Sequence, residues 1–205
     1  IHNAIEVDRF LYNPQVRDKM RQQYHLEGKH VIGHVGRFMA QKNHTFLLDV
    51  FAAYKKEDKD AYLVLLGDGE LMETVKNKAK ELGVADSVLF VGNVGNANEW
   101  YQAFDVFMLP SIWEGLPVVG VEAQAADLPC IFSDNVTKEI GLSDKASFLS
   151  LHADKSSWVS EIRQKMQMTQ RENQEALITE NHYNIEKEAV LLQERYLKLY
   201  GENTL

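Results

Sequence analysis

The chain has 205 residues, 45% of them hydrophobic, which is enough for one full core. Its formal net charge of -8 argues against a nucleic-acid backbone as the main partner, because that needs a basic face, but not against a small phosphate held by a few local cations. Cys130 is the only cysteine, so an internal disulfide and a thiolate metal site are excluded and a reducing compartment fits. No apolar run approaches the ~20 residues of a membrane span.

In chain order, residues 1–6 read as a lead-in, the tail of an element already under way, so the chain reads as a piece of a longer protein. Across residues 10–25, Val16, Met20 and Tyr24 recur at helical spacing. They predict a short helix whose charged remainder (Arg17, Asp18, Lys19, Arg21) is a solvated face. Residues 30–35 predict a strand, with His34 a satisfied core histidine. Gly36 follows, then a loop holding Arg37 and Lys42, then a helix over 45–56 with Asn43 as its cap and Phe46, Leu47, Val50, Phe51 and Tyr54 on one face. Strand, glycine, cationic loop and helix form a phosphate-reading arrangement. It is not a P-loop, because G-x-x-x-x-G-K-S/T is absent.

Residues 61–66 are a continuous apolar strand, as in a parallel sheet covered on both faces. The Gly67-Asp68-Gly69-Glu70 turn lacks the third glycine of a dinucleotide fingerprint, Met72 standing there; its glycines allow a close approach of backbone or ligand. Leu71, Val75, Ala79 and Leu82 mark a helix ending near Gly83. Residues 88–91 form a strand, followed by the Gly92-Asn93-Val94 turn. Residues 98–104 form a short helix in which Trp100, Tyr101 and Phe104 are packing residues.

A short apolar strand over 105–109 ends at Pro110. The loop Ser111-Ile112-Trp113-Glu114-Gly115-Leu116-Pro117 follows, then a helix over 118–126 that is apolar on every side except at Glu122. Gly115 supplies a flexible or unusual backbone angle, and Pro117 suits a first helical turn. A carboxylate in such a helix must find partners or change its charge state. The junction therefore presents free backbone N–H groups, which attract phosphate, and two carboxylates, Glu114 and Glu122, which accept hydrogen bonds from hydroxyls. Phosphate at one point with hydroxyls on either side describes a nucleotide sugar. The competing reading is a capped or ion-paired Glu122 and a surface Glu114.

Asp127, with Leu128 and Pro129, closes that helix. A strand over 129–132 carries Cys130 as apolar filling, Glu139 lies in a short helix before Gly141, and 146–149 is the last strand. An amphipathic helix over 154–169 (Trp158, Ile162, Met166) has Ser156 as its cap. Residues 171–180 read as solvated, and 182–200 as a closing helix with an apolar face. The alternation predicts an α/β fold, a Rossmann-like parallel sheet with helices on both faces. Ligands of such sheets bind at the carboxyl ends of the strands, where every site residue named here falls.

The P-S-x-x-E-G-L-P run of 110–117 with Glu122 resembles the E-x7-E signature of retaining nucleotide-sugar glycosyltransferases of the GT-B architecture, family 4 in particular. The likeness extends over roughly residues 1–151. Gly36 to Lys42 is similar to the family's G-R-x-x-x-x-K loop, and residues 1–6 resemble its N-G-I/V-D turn, with Ala4 in place of glycine and Glu6 in place of aspartate. Asp127 stands where the family usually has a glycine in a left-handed turn, which the resemblance implies here too and aspartate tolerates. The resemblance implies that residues 1–205 are the single donor-binding, C-terminal lobe, with 1–28 a lead-in and 182–205 a helix crossing to a missing N-terminal lobe. It further implies that Arg37 and Lys42 hold the donor diphosphate with main-chain N–H groups near Gly115, Leu116 and Pro117. Glu122 holds the ribose, Glu114 the donor sugar, and Gly92 and Val94 lie against the base. No metal or other cofactor is implied. The acceptor is a glycan or lipid-linked molecule, as in bacterial capsule or exopolysaccharide synthesis, in the cytoplasm, with peripheral association at the inner membrane face. A nucleotide-sugar epimerase and a non-catalytic binding module remain alternatives on the same residues.

Overall fold

A computed structural model describes residues 3–202 of the chain. Its centre is one six-stranded sheet: β1 (His30–Val35), β2 (Ala61–Leu66), β3 (Val88–Gly92), β4 (Val106–Leu109), β5 (Cys130–Ser133) and β6 (Ala146–Leu149). Every pairing is parallel. The connecting helices are α1 (Pro14–Gln23), α2 (His44–Glu57), α3 (Met72–Glu81), α4 (Ala97–Ala103), α5 (Val118–Ala125), α6 (Lys155–Lys165), α7 (Glu175–Glu180) and α8 (Ile185–Glu202). The α/β expectation therefore holds.

Strand side chains alternate faces, and both faces are apolar, so each is covered. Val31, Val64, Phe107 and Phe132 pack with Met20 of α1, Trp100 of α4, Val121 of α5 and Ile178 of α7. Their neighbours Ile32, Leu63, Met108 and Ile131 pack with Phe51 of α2, Val75 of α3 and Trp158 of α6 on the other side. Trp100 and Trp158 are both fully buried, at about 1.5–3 kcal/mol or more per large side chain. The strand order is β3-β2-β1-β4-β5-β6. It reverses between β1 and β4, and a doubly wound sheet opens a crevice at the carboxyl ends of the two strands flanking such a reversal.

Several local expectations are corrected. Asp18 and Lys19 are exposed, as expected, but Arg17 and Arg21 are not a solvated face. They pair with Asp105 at 2.5 and 3.2 Å, and Asp105 Oδ2 also accepts the Val31 N–H at 2.7 Å. The partner is remote in sequence, so helical period could not reveal it. The lead-in is integral to the core: α1 is capped by Asn13 and buries Met20, and Leu26 behind it is fully enclosed. Asn43 precedes α2 in a left-handed conformation (φ 55°) without a side-chain cap bond, because the chain enters α2 from a 3-10 turn at Ala40–Lys42. Ser156 lies inside the first turn of α6; the cap position is Asp154.

Residues 171–180 are not simply solvated either. Arg171 donates from Nε to Ala126 O at 2.7 Å, lies 4.3 Å from the Tyr12 ring centroid, and is followed by the fully buried Ile178. Asp127 is left-handed (φ 54°) as expected, and it is also buried and paired with Lys145 at 2.7 Å. Cys130 is buried as filling, its thiol pushed far up by burial. α8 leaves Val190, Leu191, Tyr196 and Leu197 exposed, the unburied apolar face expected of the closing helix. The lead-in residues 1–2 and the last residues, 203–205, lie outside the described residues.

Candidate functional site

Three loops at the carboxyl edge are laced together by their backbones. After β1, Gly36 N donates to Leu66 O at 3.0 Å and Phe38 N to Asp68 O at 3.0 Å; after β2, Gly67 N donates to Gly92 O at 2.8 Å. This lacing requires the two glycines of the 67–70 turn. At Gly69 (φ +158°) a Cβ would stand 2.5 Å from Phe38 O, and at Gly67 (φ +127°) one would stand 2.2 Å from Gly36 O. The loops enclose a cavity of about 450 Å³ lined by Gly36, Arg37, Asp68, Gly92, Val94 and Ala97 among others. Arg37 is exposed. Among the described residues its guanidinium has no hydrogen bond or ion pair, so a full fork of donors faces this space.

Across the reversal point, the loop after β4 meets the loop after β1. Lys42 Nζ lies 2.5 Å from Glu114 Oε1, both side chains largely enclosed. Ser111 Oγ donates to the same oxygen at 2.8 Å, and Gln41 Nε2 donates to Glu114 Oε2 at 3.2 Å and to Trp113 O at 3.0 Å. Ile112 N donates to Gln41 O at 2.8 Å, and Asn135 Nδ2 to Ile112 O at 2.9 Å. Glu114 is thus a fixed carboxylate rather than a surface one. Of the flexible or unusual angle expected at Gly115, a positive φ is not found; a Cβ there would meet nothing, so its position is open space. Leu116 is half-buried, and the buried Pro117 is the cap residue of α5 rather than its first helical one.

Glu122 is not locked to a cation. Its Oε2 accepts the Tyr101 hydroxyl at 2.7 Å, and among the described residues its Oε1 accepts no hydrogen bond and neither oxygen has an ion pair. Burial raises its pKa despite the Tyr101 hydrogen bond and the nearby Arg9 charge. The side chain opens on a cavity of about 310 Å³, shared with Ala4, Arg9, Phe10 and Val118. This cavity is distinct from the one at Arg37 and shares no lining residue with it; Asn98 Nδ2, in the first turn of α4, donates to Arg9 O at 3.2 Å. Ala4 has no positive φ, so alanine in place of the family's glycine costs nothing there.

Two imidazoles underlie the cationic loop. His34 Nδ1 donates to Met108 O at 2.8 Å, so the ring is the neutral Nδ1–H tautomer. Among the described residues its Nε2 has no hydrogen-bond partner, which corrects the expectation of a satisfied core histidine. His44 stacks on Phe38 with ring centroids 4.0 Å apart, and among the described residues neither of its nitrogens has a hydrogen-bond partner. Burial pushes the pKa of His34 down to about 4, and burial with the His34 and Lys42 charges pushes that of His44 down to about 2.

A family model for glycosyl transferases group 1 matches residues 16–180. The chain belongs to this family. EpsF of Bacillus subtilis (strain 168), a glycosyltransferase by assignment only, is 40% identical over 163 residues, covering 78% of this chain and 42% of EpsF. The Escherichia coli UDP-Gal:alpha-D-GlcNAc-diphosphoundecaprenol alpha-1,3-galactosyltransferase is 38% identical over 104 residues, covering 49% of this chain and 27% of that enzyme. The chain therefore spans less than half the length of these relatives. Among solved structures, Anabaena HepE in complex with UDP aligns with a TM-score of 0.77 at 19% identity, over 98% of this chain and 57% of HepE, which bears on the fold. The architecture is that of a GT-B glycosyltransferase lobe.

In this glycosyltransferase chain the sequence-derived residues gather on one rim. Gly36, Arg37, Gly92 and Val94 share one cavity, Lys42 and Glu114 form a pair beside it, and Glu122 opens on a neighbouring space. Sequence reasoning missed Gln41, Ser111 and Asn135, which hold the Glu114 loop, and it read Tyr101 only as packing. Tyr101 is fully buried, yet its hydroxyl orients Glu122. The i, i+3 spacing of Ser111 and Glu114 was a usable signal. Nothing in the sequence linked Tyr101 to Glu122.

Proposed function

We propose that this chain is the donor-binding lobe of a retaining glycosyltransferase that uses a nucleotide diphosphate sugar, UDP-linked, and passes the sugar to a glycan or lipid-linked acceptor held by a lobe outside this chain. The reaction serves cell-surface polysaccharide synthesis in the cytoplasm, at the inner face of the membrane. The observation that carries the reading is the Lys42–Glu114 pair spanning the reversal point between β1 and β4, beside the unpaired Arg37 and the cavity it lines.

The diphosphate lies between Arg37, Lys42 and the N–H groups opening α5. Negative charge grows on the departing nucleotide diphosphate during transfer, and groups already aimed at it stabilise that charge without reorganising. These cations and the helix terminus supply the neutralisation, so no metal ion or other cofactor is invoked. Lys42 has three donors, so it can grip a phosphate oxygen while keeping Glu114. Glu114, fixed by Ser111 and Gln41, accepts hydroxyls of the donor sugar and orients its anomeric carbon. Glu122 accepts ribose hydroxyls through its free Oε1, with Gly92 and Val94 against the base. Retention proceeds without a protein nucleophile, a donor phosphate oxygen taking the acceptor's proton.

Calorimetry with UDP and a UDP-sugar tests these roles. Glu122→Ala is expected to weaken UDP at least tenfold, about 1.4 kcal/mol. Glu114→Ala is expected to weaken the UDP-sugar severalfold more than UDP itself. Equal losses of the two ligands in both variants, or no heat with UDP in the unaltered chain, would sink the assignment.

A further inference from the structure

The opposite end of the sheet carries a second group of cations with its own cavity, of about 250 Å³, lined by Arg17, Arg21, Lys29, His30, Asp105 and Arg171 among others. His30 opens β1, whereas Arg37 lies just past its other end. A six-residue strand spans roughly 20 Å, too far for one diphosphate to bridge.

Among the described residues Asp105 is the only carboxylate in this lining, and Arg17 and Arg21 already share it. Lys29 and His30 are matched from outside the cavity, by Asp60 at 2.8 Å and Asp58 at 2.6 Å. Arg171 has no carboxylate partner among the described residues and donates only to carbonyl oxygens at the ends of α4 and α5. Two of these it shares. Arg17 Nη1 reaches Gln102 O at 2.9 Å and Phe104 O at 2.8 Å, and Arg171 Nη1 reaches the same oxygens at 3.2 and 3.3 Å. Two like charges thus converge on one pair of acceptors. A single cation is enough to cap a helix end, which carries about half a negative charge. Three guanidiniums against one carboxylate and two helix ends leave an excess of about one positive charge. Burial, and after it the Arg17 charge, push the pKa of Arg171 down to about 9 against the opposing effects of Tyr12, Asp105 and Asp127.

We propose that this cavity is a binding site for a small oxyanion of the phosphate class, separate from the donor site. The anion takes the N–H groups that Asp105 and the carbonyls leave over on Arg17 and Arg21, and its charge offsets the repulsion between Arg17 and Arg171.

The test is thermal denaturation with inorganic phosphate, chloride holding the ionic strength constant. A saturable rise in Tm is expected in the unaltered chain and in Arg37→Ala, which disables the donor end. The apparent phosphate affinity is expected to fall at least fivefold in Arg17→Gln and severalfold in Lys29→Gln, whose side chain can be removed without opening buried bonds. Should Arg17→Gln fail to fold, Lys29→Gln decides. Loss of the rise in Arg37→Ala, its persistence at full affinity in Lys29→Gln, or an equal rise with chloride alone would overturn the site.

Discussion

Replacing Gly67 by alanine is expected to cost about 4 kcal/mol of stability and to abolish UDP binding. The backbone there has φ +127°, and a Cβ would lie 2.2 Å from Gly36 O and 2.9 Å from Gly36 C. A non-glycine residue in that region costs of order 1–3 kcal/mol. Overlap with a backbone group that cannot rotate away adds about 1–3 kcal/mol. The carbonyl it strikes belongs to the loop that presents Arg37, so relief of the clash moves the guanidinium away from the cavity. Gly83→Ala is the control. Its φ is +69°, but nothing lies within 4 Å of the added Cβ, so only the left-handed penalty of about 1–2 kcal/mol applies. Urea unfolding with calorimetry on both variants checks the difference. Equal losses at the two glycines would mean that close approach of the loops is not what the turn requires.

Acid is expected to destabilise the fold well before the carboxylate ion pairs titrate. His34, ordinarily near 6.5, is held down to about 4 by burial. The unfolded chain therefore binds a proton below about pH 6.5 that the folded chain refuses until about pH 4. Stability from this group is complete above pH 6.5 and is lost between 6.5 and 4, by about 3 kcal/mol at 1.36 kcal/mol per unit. His44, pushed down to about 2, acts in the same direction and carries the loss lower. Asp60 and Glu73, whose carboxyls are depressed by Lys29 and Lys76, release their contributions only below their ordinary values of 3.8 and 4.5. Glu122 works the other way: its raised pKa means that protonation relieves a burial cost as pH falls. Urea midpoints over this pH range measure the sum. His34→Leu is expected to remove about half of the slope between pH 6.5 and 4, His44 supplying the rest, and a slope unchanged in that variant would show that the imidazole is not what titrates.

The fold was legible because its signals are local. β2 reads as six consecutive apolar residues from Ala61 to Leu66, and a strand buried on both faces has no other pattern. The glycines at 67 and 69 stood where two backbones touch, and Gly115, which looked equally meaningful, proved to need no special angle. Asn43 and Ser156 were read as caps on residue type alone, and neither makes a cap bond, because the path of the chain into the helix decides that.

Sequence alone determined the alternation of strands and helices, the polar loops at the strand ends and the residue types in them, because period, punctuation and motif spacing are properties of neighbouring residues. Only the tertiary structure decided which of those loops meet. It paired Lys42 with Glu114 across the sheet's reversal point, set Tyr101 on Glu122, and gathered Arg17, Arg21 and Arg171 around the end of α4. Those pairings join residues far apart along the chain, and a charged side chain looks alike in sequence whether its partner is water or a distant carbonyl. The distinction arises only when packing excludes the water and leaves each buried polar group to be satisfied by what the fold has placed beside it.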